Sequence, residues 1–137
     1  MRAVFILPLL LTGIAAHAAD PSCPATLNIE EKLKQPYAGW SEGRTDAPRS
    51  LSAITVFEGN PKDMASLVGD QRKPSKTILV TTWKLEPGTQ YWMSCSYSGT
   101  RIVLSRPVPA NYRSVVVTYA TDVTVDGLPE VTKVEWR

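Results

Sequence analysis

Along most of this chain apolar and polar residues alternate with a period of two, which is the signature of strands with one buried face. Between Thr26 and Leu33, Leu27 and Ile29 share one face and Asn28 and Glu30 the other. Leu51–Glu58 holds Ile54, Val56 and Phe57 at its centre, residue types that suit a pleated, half-buried surface. Gly59-Asn60-Pro61 ends that run. Thr77–Leu85 is rich in Thr, Val and Ile and stops at Glu86-Pro87-Gly88, a tight-turn signal. Gln90–Tyr97 comes next, so these two runs are expected to form a hairpin. Thr100–Arg106 then returns after Ser98-Gly99, which completes a three-stranded meander. Arg113–Thr121, around Val115-Val116-Val117 and Tyr119, is the most apolar run and extends toward Val125. After the turn Asp126-Gly127-Leu128-Pro129, Val131–Trp136 closes the chain. Strict alternation puts Val131, Lys133 and Glu135 on one face and Thr132, Val134 and Trp136 on the other.

Two stretches lack this pattern. Gln35–Ser50 is a loop rich in Pro, Gly and charge that carries Tyr37 and Trp40. Pro61–Pro74 is irregular, and Met64–Val68 within it reads as one helical turn or a short strand. No segment holds a period of 3.6 over three turns, and no repeat is visible. The expected fold is all-β: one antiparallel β-sandwich or barrel of about seven or eight short strands, a single domain over residues 23–137.

The first residues read differently. Arg2 precedes an apolar core from Val4 to Leu11, and Ala16-His17-Ala18 fits the small-x-small rule for signal peptidase. Residues 1–19 are expected to be a signal peptide, cut after Ala18 or Ala19, which sends the chain to the periplasm or outside the cell. The apolar stretch is short for a membrane span, which needs about 20 residues. Cys23 lacks the small apolar triplet that precedes a lipidated cysteine.

Cleavage changes the chemistry. His17 is the single histidine in the sequence and leaves with the signal. Ser-His-Asp and Cys-His catalysis and histidine metal ligation are then excluded. The formal charge of +2 and the charged share of 20% suggest neither a nucleic-acid partner nor disorder. Two cysteines remain, Cys23 and Cys95. In an oxidising compartment they read as one structural disulfide, the alternatives being two free thiols or an intermolecular pair. No Cys-x-x-Cys spacing supports a redox role.

Other candidates are thin. Asp122-Val123-Thr124-Val125-Asp126-Gly127 begins like a calcium loop, but Lys133 stands where the bidentate Glu belongs. Ser75-Lys76 lacks the Ser-x-x-Lys spacing of a nucleophile pair. Glu58, Asp63 and Asp70 lie in or beside one irregular region and are the carboxylates able to converge. No metal or cofactor is expected. Core packing is the expectation for Trp83, Trp92 and Trp136, while Trp40 sits in a loop. Trp83 and Trp92 flank the expected hairpin as near cross-strand neighbours. Arg101, Arg106 and Arg113 lie on or near neighbouring strands and form either a basic strip or a solvated face.

Cys23-Pro24, Gly39-Trp40, Leu51–Gly59, Trp83, and above all Cys95-Ser96-Tyr97-Ser98-Gly99-Thr100 with Leu104-Ser105-Arg106-Pro107 resemble a small family of exported proteobacterial proteins with no assigned activity. The resemblance implies a bacterial exported protein and transfers no catalytic residue. It also implies two further cysteines in the C-terminal third, at positions held here by Val115 and Trp136. A weaker resemblance links Ser98-Gly99-Thr100-Arg101 to the Ser-Gly-x-x-Tyr loop of periplasmic lysozyme inhibitors, with Ile102 where Tyr belongs. The expected function is a non-enzymatic module that binds an envelope protein or a glycan through Trp40, Tyr97, Arg101 and Arg106. The alternatives are a lysozyme-inhibitor-like protein, a carboxylate-based hydrolase of envelope glycans and a structural component of the envelope.

Overall fold

A computed structural model describes residues 21–43, 47–72, 75–125 and 127–137. The expected signal peptide, residues 1–19, lies outside them. Eight strands run in chain order: β1 (Thr26–Leu27), β2 (Arg49–Glu58), β3 (Asp70–Gln71), β4 (Ile78–Lys84), β5 (Tyr91–Tyr97), β6 (Val103–Pro107), β7 (Ser114–Val125) and β8 (Leu128–Trp136). They form two four-stranded sheets, β1-β2-β5-β6 and β3-β4-β7-β8. Every pairing within them is antiparallel. The all-β expectation holds, and the architecture is a sandwich and not a closed barrel.

Alternation explains the core. Ile54, Val56, Met93, Cys95 and Tyr97 point inward from the first sheet, and Trp83, Val115 and Val117 from the second. Leu85 and Val108, just beyond strand ends, close the cluster. The first strand is shorter than expected: pairing stops after Leu27, which faces Arg49.

The expected meander is wrong in one respect. β4 pairs with β7, and β5 pairs with β2 and β6, so β4 and β5 form no hairpin. The turn Glu86-Pro87-Gly88-Thr89 carries the chain across the sandwich, with the Thr89 amide donating to the Glu86 carbonyl at 3.4 Å and Gly88 at φ +85°. Trp83 and Leu85 on one side of the turn and Tyr91 and Met93 on the other are all buried. Crossing lets both sets bury against each other, whereas a hairpin would leave them on one sheet without an opposing layer. The Tyr91 hydroxyl accepts from the Glu86 amide at 3.1 Å and ties the corner. Trp83 therefore faces Val115, while Trp92 lies between Phe57 and Pro107, and the two tryptophans are not cross-strand neighbours.

β8 also departs from strict alternation. Thr118 faces Lys133 but Tyr119 faces Val131, so Thr132 is an extra residue. Its hydroxyl donates to the Thr118 carbonyl at 3.1 Å. This bulge turns Val131 onto the same inner face as Val134 and Trp136, all three packed against the core. Val115 and Trp136 are direct partners. Trp136 also packs a tilted ring on Tyr112 at 5.5 Å.

The segment after β2 is stitched to that strand. The Leu67 amide donates to Val56 and the Glu58 amide to Ala65. Met64–Val68 contains no helical turn; the 3-10 turn lies just before it, at Pro61–Asp63, and Ser66 bridges Phe57. The Trp83 indole N–H donates to the Leu67 carbonyl at 3.1 Å. Gly69 then passes over Thr81 and Trp83 so closely that a Cβ would lie 2.4 Å from Thr81 Cγ2 and 2.8 Å from the Trp83 ring.

Two outcomes follow from this packing. Gly69→Ala is expected to cost about 1–3 kcal/mol in urea unfolding, because Trp83 must move from its Leu67 bond. Replacing both cysteines of the Cys23–Cys95 bridge (Cys23→Ser with Cys95→Ala), which spans 72 residues, is expected to lower stability by about 4 kcal/mol in the same assay.

Candidate functional site

Between β1 and β2 the chain leaves the first sheet in an arm, of which residues 28–43 are described. Its root is held four ways. β1 pairs with Arg49 and Ser50, and the Leu51 amide donates to the Ala25 carbonyl at 2.9 Å. Cys23 is bonded to Cys95 in the middle of β5. The Tyr97 hydroxyl donates to the Pro24 carbonyl at 3.0 Å. Arg49 meets the Glu31 carboxylate at 3.6 Å.

At the far part of the arm, Tyr37-Ala38-Gly39-Trp40 makes a turn closed by the Trp40 amide on the Tyr37 carbonyl at 3.1 Å. Gly39 has φ +82°, which the third position of a type II turn requires and which glycine adopts without strain. The two aromatics at the corners of this turn stand out in solvent, Trp40 at 84% and Tyr37 at 57% exposure. With Leu33, Glu31 and Glu42 they wall a concavity of about 620 Å³. Among the described residues Glu42 has no ion pair, whereas Glu31 is held by Arg49.

The β5–β6 loop leaves the first sheet at the same end as the arm. The Ser98 amide donates to the Ser50 carbonyl at 2.9 Å, and the Ser50 amide donates to Ser98 Oγ at 3.2 Å. Exposed Arg101 lies on this loop, followed by exposed Ile102. Arg106 is exposed at the opposite end of β6, across from Met93. Tyr97 is 3% exposed and faces the core. Of the four sequence candidates, Trp40 and Arg101 thus sit on segments that emerge from one end of the sheet. Arg106 stands at the other end, and Tyr97 is inside.

Tyr37, not singled out in the sequence, is the exposed tyrosine. The burial of Tyr97, by contrast, has a signal in the sequence. Tyr91, Met93, Cys95 and Tyr97 share one face of a strand whose cysteine is bridged, and that face is the buried one.

Glu58, Asp63 and Asp70 are all exposed. Ser75 Oγ accepts from the Ile78 amide at 3.0 Å, a turn-capping role. Arg113 turns its guanidinium back on the Ala110 and Tyr112 carbonyls. On the outside of the second sheet, Lys133 at 3.2 Å and Arg137 at 3.6 Å flank Glu135. The Lys133 hydrogen bond, helped by both positive charges, holds that carboxyl below its ordinary value. Such exposed pairs contribute little to stability. Among the described residues no group of three His, Cys, Asp or Glu is placed to hold a metal ion.

Comparison with known families decides the kinship. A model described as Type VI secretion system Tli immunity protein matches residues 45–133. The chain belongs to the Tli immunity protein family. The family match takes in β2 through most of β8 and leaves the Cys23 segment, β1 and the Tyr37–Trp40 turn outside it. No curated protein and no solved structure matches the chain.

Burial raises the Tyr97 phenol above the ordinary 10.0, and it raises Tyr119 as well, partly opposed by a hydrogen bond with the Ile54 backbone. Folding therefore favours the neutral phenols. Their contribution is complete below pH 10.0 and is lost as pH rises through the higher folded values. Urea unfolding from about pH 9 to about pH 11 is expected to show falling stability. Tyr97→Phe is expected to flatten part of that fall while costing about 1 kcal/mol at neutral pH through the lost bond to Pro24.

Proposed function

We propose that this chain is an exported, non-enzymatic immunity protein that binds a type VI secretion effector in the periplasm and blocks it by contact. Kinship with the Tli immunity proteins over residues 45–133 carries this reading. In it, residues 1–19 are removed on export and residues 23–137 fold as one domain.

The contact surface in this proposal is the end of the first sheet from which the arm and the β5–β6 loop emerge. Trp40, Tyr37 and Leu33 supply apolar area there, and Arg101 and Ile102 supply the neighbouring loop. Large exposed aromatics with arginine are the residue types that dominate binding energy at protein interfaces. Tyr97 plays the supporting part, by fastening Pro24 and hence the root of the arm. Arg106 lies on the edge strand β6.

A second reading is a lysozyme-inhibitor-like plug, in which the projecting Ser98-Gly99-Thr100-Arg101 loop enters an enzyme cleft. Gly99 at φ +63° makes that loop turn sharply. The two readings differ in the enzyme blocked and share the same end of the molecule.

The test is survival. Each type VI effector of the source bacterium is sent to the periplasm of a sensitive strain with and without this chain. One effector is expected to be neutralised and to co-elute with the chain in a stoichiometric complex. Neutralisation of none of them, with inhibition of lysozyme instead, would move the assignment to the second reading. Trp40→Ala is expected to change stability by less than about 0.5 kcal/mol, since the side chain is solvated. The same variant is expected to weaken effector binding about thirtyfold, measured by calorimetry.

A further inference from the structure

β6 is an edge strand whose outer side no strand pairs among the described residues. Its phase is set by one bond: the Val108 amide donates to the Tyr91 carbonyl at 2.8 Å. Antiparallel ladders alternate, so Arg106 and Leu104 turn their main-chain groups to Met93 and Cys95 on β5. Val103 and Ser105 then direct both their N–H and C=O groups outward. Pro107 directs only its carbonyl, having no N–H.

Four features mark this edge as more than a solvated border. Val103 is 50% exposed and the preceding Ile102 43%. The outer sheet face beside it is uncharged, with Thr55, Phe57, Trp92, Ser94, Ser105 and Pro107 on it. Ser94 and Ser105 hydroxyls are joined at 2.7 Å across that face. Exposed Arg101 and Arg106 bracket the edge, and neither has an ion pair among the described residues. Uncharged centres with cationic flanks are complementary to an apolar strand with acidic flanks.

We infer that β6 receives an extended segment of the effector, apolar in its middle and acidic at its ends, which adds a fifth strand to the first sheet. This inference rests on the immunity reading and names how the partner is held. The segment's main chain meets the outward groups of Val103 and Ser105, and its carboxylates meet Arg101 and Arg106. Strand addition of this kind takes affinity from main-chain bonds and selectivity from side chains. A second copy of β6 fits less well. Paired about Ser105, each Val103 would face the other copy's Pro107, whose missing N–H leaves the Val103 carbonyl without a donor. The copies would also bring arginines of like charge together.

The probe is the effector that the wild-type chain neutralises. Ser105→Pro removes the outward N–H and leaves the bonds to β5 in place, and edge strands tolerate proline. Ser105→Ala removes the hydroxyl bond to Ser94 and keeps the N–H. Calorimetry is expected to give Ser105→Ala near wild type and Ser105→Pro at least about tenfold weaker. Arg106→Glu is expected to be weaker as well, with a reduced salt dependence. In the wild-type complex, hydrogen exchange at the Val103 and Ser105 amides is expected to slow, a readout independent of whether the proline variant folds. Equal binding by Ser105→Pro, or unprotected Val103 and Ser105 amides in a formed complex, would overturn the edge assignment and leave the immunity reading intact. Neutralisation of no effector by the wild type would end both. A dimer of the free chain that Ser105→Pro dissolves would show the edge pairing with itself and overturn the proposal.

Discussion

The Cys23–Cys95 bridge fastens the segment that precedes β1 to the middle of β5. β1 contributes two residues to the first sheet, and an isolated pair of strands that short is not stable. The bridge brings the chain against the buried face of β5. From there Pro21 is fully buried and the Pro24 carbonyl receives the Tyr97 hydroxyl. The described arm residues 28–43 therefore start from a root fixed to the core.

The second constraint is the partition of the chain between two sheets. Because Glu86-Pro87-Gly88-Thr89 crosses the sandwich, β5 is left with β2 on one side and β6 on the other. β6 has nothing beyond it and becomes an edge. Had β4 stayed beside β5, as a simple hairpin would have it, β4 would hold the side of β5 that β2 now occupies. The same crossing sets Trp83 against Val115 and lets its indole reach Leu67. The irregular segment after β2 is held down by that bond, and one small residue, Gly69, makes the approach possible.

How much of this was legible from residue order depends on whether the cause is local. Six of the strands, β2 and β4 through β8, follow from alternation, which every residue pair reports on its own. Pairing is not local: a Pro-Gly turn looks the same whether the chain doubles back or crosses to the opposite layer. The bulge at Thr132 is likewise silent, since Thr in a strand is unremarked until register is known. The bridge was legible because two cysteines in an exported chain leave few options. Trp40 is legible as a loop aromatic, whereas Tyr97, expected at the contact surface, lies inside. Its own face, shared with Met93 and Cys95, is apolar.

The turn at Gly39 has a consequence for how binding energy is divided. The backbone beneath Tyr37 and Trp40 is already closed by a hydrogen bond and a left-handed glycine. The chain has therefore surrendered that conformational freedom during folding, before any partner arrives. In the proposed contact, encounter needs to settle only the rings themselves, with two side-chain torsions each. A loop that ordered on contact would lose roughly 1–2 kcal/mol per residue at that moment. A small patch built this way can hold a partner with an area that a flexible arm of the same composition would find insufficient.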